Sequence, residues 1–531
     1  MNKRYTDTVH DAEPIRATGD RYRAVDAGLA GLRAYGREVF LQTGAEHAVA
    51  AARGAADAAT VVAGWCLADG RVAAAFEAVE LGRAMVLHAA TAAATVSELL
   101  RADGRADLAE EWDRTPDEAR GAVLDTLGTS GRMHRVTGAP SIAATAAALR
   151  ATGADALVYL LPAGAARHGA LLVVESAGTV CHVPAPQLRL DPDGPVDRLT
   201  DTRHGAGDGG TRWAAALDEV CDWAWPAAIA PLLAHLRQSD TAAPGRAHRI
   251  VLVPTGVSGC VPWHAARTTS PSGYRYACHD LVVSYAASAR QLVDVAARDP
   301  LPAGKDPVFV ANPLGGQDGA VFEALALRMV FYPRSAGYGR TGERGDGPGT
   351  PDEVLTHLPG RDAPGASLLQ LSCRAHTGAD PAGSHLRLVD SASGSPASLP
   401  VGRILRQSHG RPADTPGGIV VLSACTSELT ISDYDEAFTV ATAFIAAGAV
   451  GVVATRWAVS DRMTPPLMFM FHHFLTGAGM SPADALRATQ VWSLDPRREY
   501  PATLPDVFRG DFASHDFTAT AAWAAFGYQG R

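Results

Sequence analysis

The fold of this chain turns on one stretch, residues 417–427, which reads GGIVVLSACTS. It begins with two glycines, continues as a short apolar run and ends at Cys425 among small residues. A continuous apolar run bounded by turn residues is typical of a strand buried on both faces of a parallel sheet. In open α/β sheets, ligands bind in the crevice at the carboxyl ends of the strands. We therefore predict a central strand that delivers Cys425 to such a crevice.

A second stretch, residues 366–378, has the same design and reads ASLLQLSCRAHTG. Its apolar run leads to His376, 49 residues before Cys425, and caspases place a histidine about 50 residues upstream of their cysteine. A nearby imidazole activates a thiol and later supplies a proton to the leaving amine. If the two strands are parallel neighbours, Cys425 and His376 form a catalytic dyad. Backbone N–H groups at Thr377, Gly378 and Cys425 then supply an oxyanion hole.

Composition excludes several classes of protein. The 531 residues suggest two to four domains, and 47% hydrophobic with 19% charged residues indicate a globular chain. A net charge of −9 argues against a general nucleic-acid or membrane binder. The seven cysteines are scattered without a C-x-x-C pair, which argues against a disulfide framework or a structural zinc site. We expect no metal and no cofactor.

Localisation and origin rest on equally simple signals. The N-terminal segment is polar and has no signal-peptide pattern, so we expect a cytoplasmic protein. Lys3 and Lys305 are the only lysines in an alanine- and arginine-rich chain. That bias indicates a GC-rich, actinobacterial genome.

The N-terminal part of the chain has helical character. Residues 1–20 are polar without a period and are predicted as a disordered tail. Residues 21–150 carry alanine- and leucine-rich segments separated by short turns, which indicate antiparallel helix pairs. A degenerate repeat of the tetratricopeptide type and a plain helical bundle are both compatible with this pattern.

Strands and helices alternate after residue 154, which predicts a largely parallel sheet covered on both faces. Residues 156–162 and 169–175 are predicted as a hairpin. Further strands are predicted at 249–256, 281–285, 307–313, 327–331 and 449–455. Helices are predicted at 212–237, 289–297, 319–325, 436–447, 463–475 and 482–493. Residues 334–350 are rich in glycine and charge and are predicted as a mobile loop.

Short segments in a fixed order run through roughly residues 245–531. They are LVPTG (252–256), VPWHAA (261–266), VSYAAS (283–288), Asn312-Pro313, the stretch to His376 with Asp380-Pro381, LSAC (422–425), DEA (435–437), Ala443-Phe444, Gly448-Ala449 and TRWAVSD (455–461). Together they resemble the CHAT family of caspase-like cysteine peptidases, in the clan that includes caspases, metacaspases and separase. The resemblance implies an α/β fold with a caspase-like, mostly parallel sheet flanked by helices and preceded by an α-helical region.

The resemblance also implies a domain plan and residue roles. It assigns residues 21–150 to a tetratricopeptide-like region, 151–300 to a pseudo-caspase-like layer and 301–531 to the catalytic domain. It makes His376 the general base and Cys425 the nucleophile. Two departures stand out: Thr377 follows the histidine where the family has glycine, and Ser423 occupies a position where metacaspase-like relatives carry an aspartate that selects basic substrates.

The substrate pocket is predicted from Ser423, Glu436 and Asp461. Asp461 follows a strand near the dyad and resembles the acidic residue that separase places after its tryptophan. Capping of the next helix is an equal alternative for Asp461, and Glu436 lies where a helix start favours carboxylates. The identity of the substrate residue before the cleaved bond (P1) is open.

The leading hypothesis is a cysteine endopeptidase that cleaves a protein partner, in bacterial stress or antiphage signalling. Its N-terminal helices offer a surface for a protein activator, and nucleic acid and membrane are not expected partners. Two alternatives stay open. One is a non-catalytic interaction scaffold with the same fold. The other is a different thiol acyl-transfer enzyme, although a nucleophile elbow would have glycine two residues before Cys425.

Overall fold

A computed structural model describes most of the chain. The described residues are 7–41, 45–91, 93–164, 168–203, 209–239, 245–271, 273–341, 345–360, 363–376, 383–391, 393–407, 411–423, 439–506, 509, 512 and 515–531. Within these ranges, no helix is both long enough and apolar enough to cross a membrane.

Helices make up the N-terminal region, as predicted for residues 21–150. They are α1 Asp7–Ala17, α2 Arg21–Leu41, α3 Ala45–Ala68, α4 Val72–Leu81, α5 Met85–Thr91, α6 Ala93–Ala102, α7 Ala106–Arg114, α8 Pro116–Thr129, α9 His134–Thr137 and α10 Ile142–Thr152. The predicted tail at 1–20 is wrong for the part described, because Asp7–Ala17 is helical. Arg16 anchors this helix through an ion pair with Asp69, at 2.8 Å.

The described strands of the α/β region form one 11-stranded sheet and two small ones. The strands are β1 Ala156–Leu161, β2 Ala170–Glu175, β3 Val180–Pro184, β4 His248–Pro254, β5 Arg267–Ser270, β6 Gly273–Tyr276, β7 Leu281–Tyr285, β8 Pro307–Ala311, β9 Ala336–Gly339, β10 Leu368–Ser372, β11 Arg374–His376, β12 His385–Val389, β13 Pro396–Pro400, β14 Ile419–Leu422, β15 Gly451–Thr455 and β16 Phe526–Gly530. The main sheet has the order β3-β2-β1-β4-β7-β16-β15-β14-β10-β8-β9. It therefore runs without a break across the boundary predicted at residue 300.

Most neighbours in the main sheet are parallel, as predicted. The antiparallel pairs are the hairpins β1–β2 and β2–β3 at one end, and β15–β16 in the middle. Buried hydrophobic side chains of both faces pack under helices, which explains why the strands read as continuous apolar runs. The predicted hairpin at 156–175 is confirmed by the β1–β2 pairing.

Helices cover the faces of the sheet. They are α11 Pro195–Arg203, α12 Gly209–Ala224, α13 Ala230–Gln238, α14 Ala277–Asp280, α15 Ala289–Ala296, α16 Asp318–Val330, α17 Pro351–Thr356, α18 Val401–Arg406, α19 Val440–Ala446, α20 Thr464–His472, α21 Pro482–Leu494 and α22 Thr520–Trp523. Short π- and 3₁₀-helical turns lie at Trp225–Ile229, Gly256–Cys260, Trp263–Ala265 and His473–Gly477. The α21 helix begins as predicted, with Ser481 accepting a hydrogen bond from the Asp484 N–H.

Three local predictions are wrong. Residues 327–331 are not a strand, because 327–330 continue α16, which turns Ala324 and Leu327 into the core at helical spacing. The predicted mobile loop at 334–350 contains β9, an edge strand parallel to β8. Glycine suits this strand, since a Cβ on Gly337 would lie 2.4 Å from the Arg328 guanidinium. Residues 366–376 are not one strand: β10 stops at Ser372, and β11 joins a separate antiparallel sheet with β12 and β13.

Candidate active site

The two strands that decide the predicted site are parallel neighbours. In their register Leu368 pairs with Ile419 and Leu371 pairs with Leu422, so β10 and β14 end at the same edge. Gly418 allows β14 to begin close to the backbone that leads into β10, because a Cβ at this position would lie 2.1 Å from the Ala366 carbonyl oxygen. The strands β10 and β14 are therefore parallel neighbours, as the dyad prediction requires, but His376 itself lies on β11 of the separate small sheet.

Of the predicted catalytic pair, His376 lies in the described part of the chain. His376 ends β11, is exposed, and its ring lies 5.0 Å from that of His385 on β12. Cys425, Thr377, Gly378 and Glu436 fall in 377–382 and 424–438, outside the described residues. Cys373, which follows β10 directly, has no exposed surface.

A buried glutamate joins the ends of the two strands. Glu323, from α16, is 1% exposed, and its Oε1 accepts hydrogen bonds from Ser372 Oγ (2.6 Å), Ser423 Oγ (2.7 Å) and Gln370 Nε2 (2.8 Å). The two serine hydroxyls also lie 2.8 Å apart. Burial raises the pKa of Glu323 to about 7, although these hydrogen bonds act in the opposite direction. Glu323 therefore changes charge near neutral pH.

The network continues away from the strand ends. His472 Nε2 lies 3.2 Å from Gln370 Oε1, and its Nδ1 lies 2.7 Å from the Tyr332 hydroxyl. Burial lowers the pKa of His472 to about 3, so its ring is neutral. The neutral ring donates from Nε2 to Gln370 Oε1 and accepts from Tyr332 at Nδ1. Each donor thus points toward Glu323, which fixes the direction of the whole chain of hydrogen bonds.

A small pocket opens beside Glu323. Its lining is Gln317, Gly319, Ala320, Glu323, Ser423, Val459, Asp461 and Thr464. Two acidic residues therefore line one small pocket, and Ser423 lies two residues before Cys425 in the sequence. The α16 helix approaches Asp461 so closely that a Cβ on Gly319 would lie 2.2 Å from the Asp461 carbonyl oxygen.

The loop that carries Asp461 is held by the other half of the sheet. Arg456 is 2% exposed, lies over the Tyr285 ring at 4.9 Å and donates to the carbonyl oxygens of Gly259 and Val261. Trp457 Nε1 donates to the Ala521 carbonyl oxygen at 2.8 Å. The helix α20 has Met463 at its N-cap position, so the alternative role of Asp461 as the N-cap is wrong.

Sequence reasoning found part of this arrangement. It predicted Ser423 and Asp461 as pocket residues and placed His376 at the end of the neighbouring strand, but it missed Glu323. A signal was present, because Glu323 is the one carboxylate in the mostly apolar run VFEALALRMV. A charged residue on the sheet-facing side of a helix requires polar partners. The partners lie about 50 and 100 residues away in the chain, and only the tertiary structure brings them together.

Comparison with known proteins agrees with this architecture. The chain is similar to two crystal structures of the separase–securin complex of Saccharomyces cerevisiae, with TM-scores of 0.51 and 0.52 at 10% and 9% identity. Each match covers 96% of this chain and 37% of the other, so the chain spans little more than a third of that protein's length. At this identity the likeness shows a shared, separase-like fold.

Sequence comparison identifies the family. No curated protein matches the chain in sequence. The model of the CHAT domain matches residues 218–531, a somewhat longer span than the 245–531 predicted from the short segments. Since this match covers more than half of a chain with a caspase-like, separase-type fold, the chain belongs to the CHAT domain family.

Proposed function

We propose that this chain is a cysteine endopeptidase in which Cys425 is the nucleophile and His376 the general base. The observation that carries the proposal is the parallel pairing of β10 and β14, whose shared edge adjoins the Glu323–Asp461 pocket. Membership of a caspase-like family supports the same assignment. A non-catalytic scaffold would not need a pocket with acidic lining beside the nucleophile strand.

The proposed reaction proceeds through an acyl-enzyme. The Cys425 thiolate attacks the carbonyl carbon, and backbone N–H groups at Thr377, Gly378 and Cys425 stabilise the oxyanion. The C–N bond breaks as the amine takes a proton from the His376 imidazolium, which leaves a thioester on Cys425. Water then attacks the thioester while His376 accepts its proton, and a carboxylate product and the thiol are released.

We further propose that the pocket binds a basic P1 side chain. Carboxylates accept charge-assisted hydrogen bonds from lysine and arginine, and Glu323 and Asp461 supply two of them. Ser423 cannot supply a charge, but it donates to Glu323 at 2.7 Å. The acids of this pocket therefore come from α16 and from the segment after β15, rather than from the strand that leads to Cys425. Glu436 stays a predicted pocket residue outside the described part of the chain.

The P1 preference is expected to depend on pH. Because the pKa of Glu323 is raised to about 7, its carboxyl is neutral below that pH and negatively charged above it. The ratio of kcat/KM for an arginine-P1 peptide to that for a leucine-P1 peptide should rise as pH increases through about 7. Protonation of the catalytic residues changes kcat/KM for both peptides equally, so it cancels in the ratio. Glu323→Gln should lower it by about 10- to 100-fold at pH 8 and make it independent of pH.

Asp318→Asn provides the matched control, because Asp318 lies on the same helix and does not line the pocket. This variant should keep the wild-type ratio and its pH profile. An arginine-to-leucine ratio that is unchanged in Glu323→Gln would contradict the assignment of this pocket to P1.

Labelling of Cys425 tests the proposed function directly. Peptides that carry an electrophile at P1 should modify Cys425, as mapped by mass spectrometry of the digested chain. His376→Ala should slow labelling strongly, whereas Cys373→Ala should not, because Cys373 is buried. If no electrophilic peptide labels Cys425, whatever its P1 residue and even with candidate activators present, the hypothesis of a non-catalytic scaffold is favoured instead.

A protein partner is also part of the proposal. The similar structures are complexes of separase with securin, so that enzyme is bound by a second protein. We propose that this chain likewise binds a protein activator, through the surface of α1–α10. A cytoplasmic bacterial protein in stress or antiphage signalling would combine such control with cleavage of a protein substrate.

A further inference from the structure

Three potential metal-ligating side chains converge at the opposite end of the main sheet from the pocket. Glu175 ends β2, Cys181 lies on the edge strand β3, and His235 lies on α13. His235 Nε2 is 3.1 Å from Glu175 Oε1 and 3.5 Å from Cys181 Sγ. The three ligand atoms all lie within 4.8 Å of one another.

The geometry around the ring nitrogen resembles a coordination site. A sulfur and a carboxylate oxygen both approach Nε2, which can form only one well-aligned hydrogen bond. Zinc binds sulfur at about 2.3 Å and nitrogen or oxygen at about 2.0–2.1 Å, with tetrahedral angles between the bonds. In that geometry the sulfur and nitrogen atoms are about 3.6 Å apart, and the nitrogen and oxygen atoms are about 3.4 Å apart. The observed separations of 3.5 and 3.1 Å are close to these edges of a tetrahedron.

The surroundings also suit a bound cation. Ser239 Oγ donates to Glu175 Oε1 at 2.7 Å, which orients the carboxylate as an outer-shell partner does. The side chains of His235 and Glu175 are 20% and 10% exposed, so the cluster is half-enclosed yet open to solvent on one side. One thiolate and one carboxylate would balance the charge of a divalent ion.

We propose that Glu175, Cys181 and His235 bind one zinc ion, with water in the fourth coordination position. The mixed sulfur, nitrogen and oxygen set fits zinc, which is borderline-soft and accepts all three donors. A magnesium or calcium ion would require oxygen ligands. The three ligands are far apart in the sequence and form no C-x-x-C motif, so the sequence pattern did not indicate this site.

Such an ion would join the β2–β3 hairpin to α13. Edge strands present unpaired backbone groups, and β3 is the edge of the main sheet. A metal bond from Cys181 to His235 would hold this strand in place and stabilise the folded form through linkage between binding and folding. The ion would therefore stabilise this edge of the sheet without taking part in the proposed peptide cleavage.

Cobalt(II) is the probe for this site, used in the full-length Cys425→Ala variant so that the proposed nucleophile cannot bind it. One equivalent should bind and produce a thiolate-to-cobalt charge-transfer band in the near ultraviolet, and zinc should abolish that band by competition. Adding Cys181→Ser should remove the band, and His235→Gln should weaken cobalt binding at least tenfold. Zinc should also raise the unfolding temperature of the parent variant but not of these two.

Cys260→Ala is the matched control, since this buried cysteine lies outside the cluster. It should retain the band and the thermal shift. The proposal is wrong if the parent binds no stoichiometric cobalt, or if binding and the thermal shift persist unchanged in Cys181→Ser. Circular dichroism of each variant establishes that it is folded, so loss of binding cannot be attributed to unfolding. Neither result depends on peptidase activity.

Discussion

Replacing Cys425 with alanine is expected to lower kcat/KM for peptide cleavage by at least about 1,000-fold, because the acyl-enzyme cannot form. His376→Ala should cause a loss of at least about 100-fold, since one group both activates the thiol and protonates the leaving amine. The double variant should be no slower than Cys425→Ala alone, because residues that act as a unit have non-additive effects. Fluorogenic peptides under activating conditions provide the measurement.

Cys373→Ala is the control for this experiment. It removes a thiol from the same sheet edge, three residues before His376, without touching the proposed chemistry. Its kcat/KM should stay within a few-fold of wild type. Activity that survives in Cys425→Ala and disappears in another cysteine variant would assign the nucleophile elsewhere.

Glu80→Ala is expected to destabilise the packing between the N-terminal helices and the sheet by about 3–5 kcal/mol, because it removes the acceptor of several buried donors. Glu80, on α4, is 4% exposed and accepts hydrogen bonds from the Tyr159 hydroxyl and from the N–H groups of Ala289 (2.8 Å) and Arg290 (3.2 Å). It thus caps the first turn of α15 from a different part of the chain. Hydrogen exchange at the Ala289 and Arg290 amides should accelerate by about 100-fold or more.

Glu77→Ala on the same helix is the matched control. Glu77 is partly exposed and pairs with Arg33 at the surface, and such pairs contribute about 0–1 kcal/mol. Its effect on exchange at Ala289 and Arg290 should be small. Equal acceleration in both variants would show that α4 acts through general helix stability rather than through the buried carboxyl of Glu80.

How well each element was predicted depends on how far apart in the sequence its interacting residues lie. Strand β14 was predicted because a buried strand is encoded by a few consecutive apolar residues between turns. The segment at 327–331 was mispredicted because its short apolar run fits a strand or a buried helix equally well. Edge strand β9 was missed because backbone pairing at an edge needs no apolar side chains. Local patterns therefore identified strands that have continuous apolar runs better than strands that lack them.

The sequence by itself determined the class of fold, the two buried strands β10 and β14, and the family. These depend on local periodicity and on short segments in a fixed order. Only the tertiary structure decided which polar groups meet. Glu323 contacts Ser372 and Ser423 across the sheet, and Glu80 caps α15 from another region. A buried polar side chain needs a hydrogen-bond partner, and that partner can lie anywhere in the sequence. No local sequence pattern specifies which residue it is.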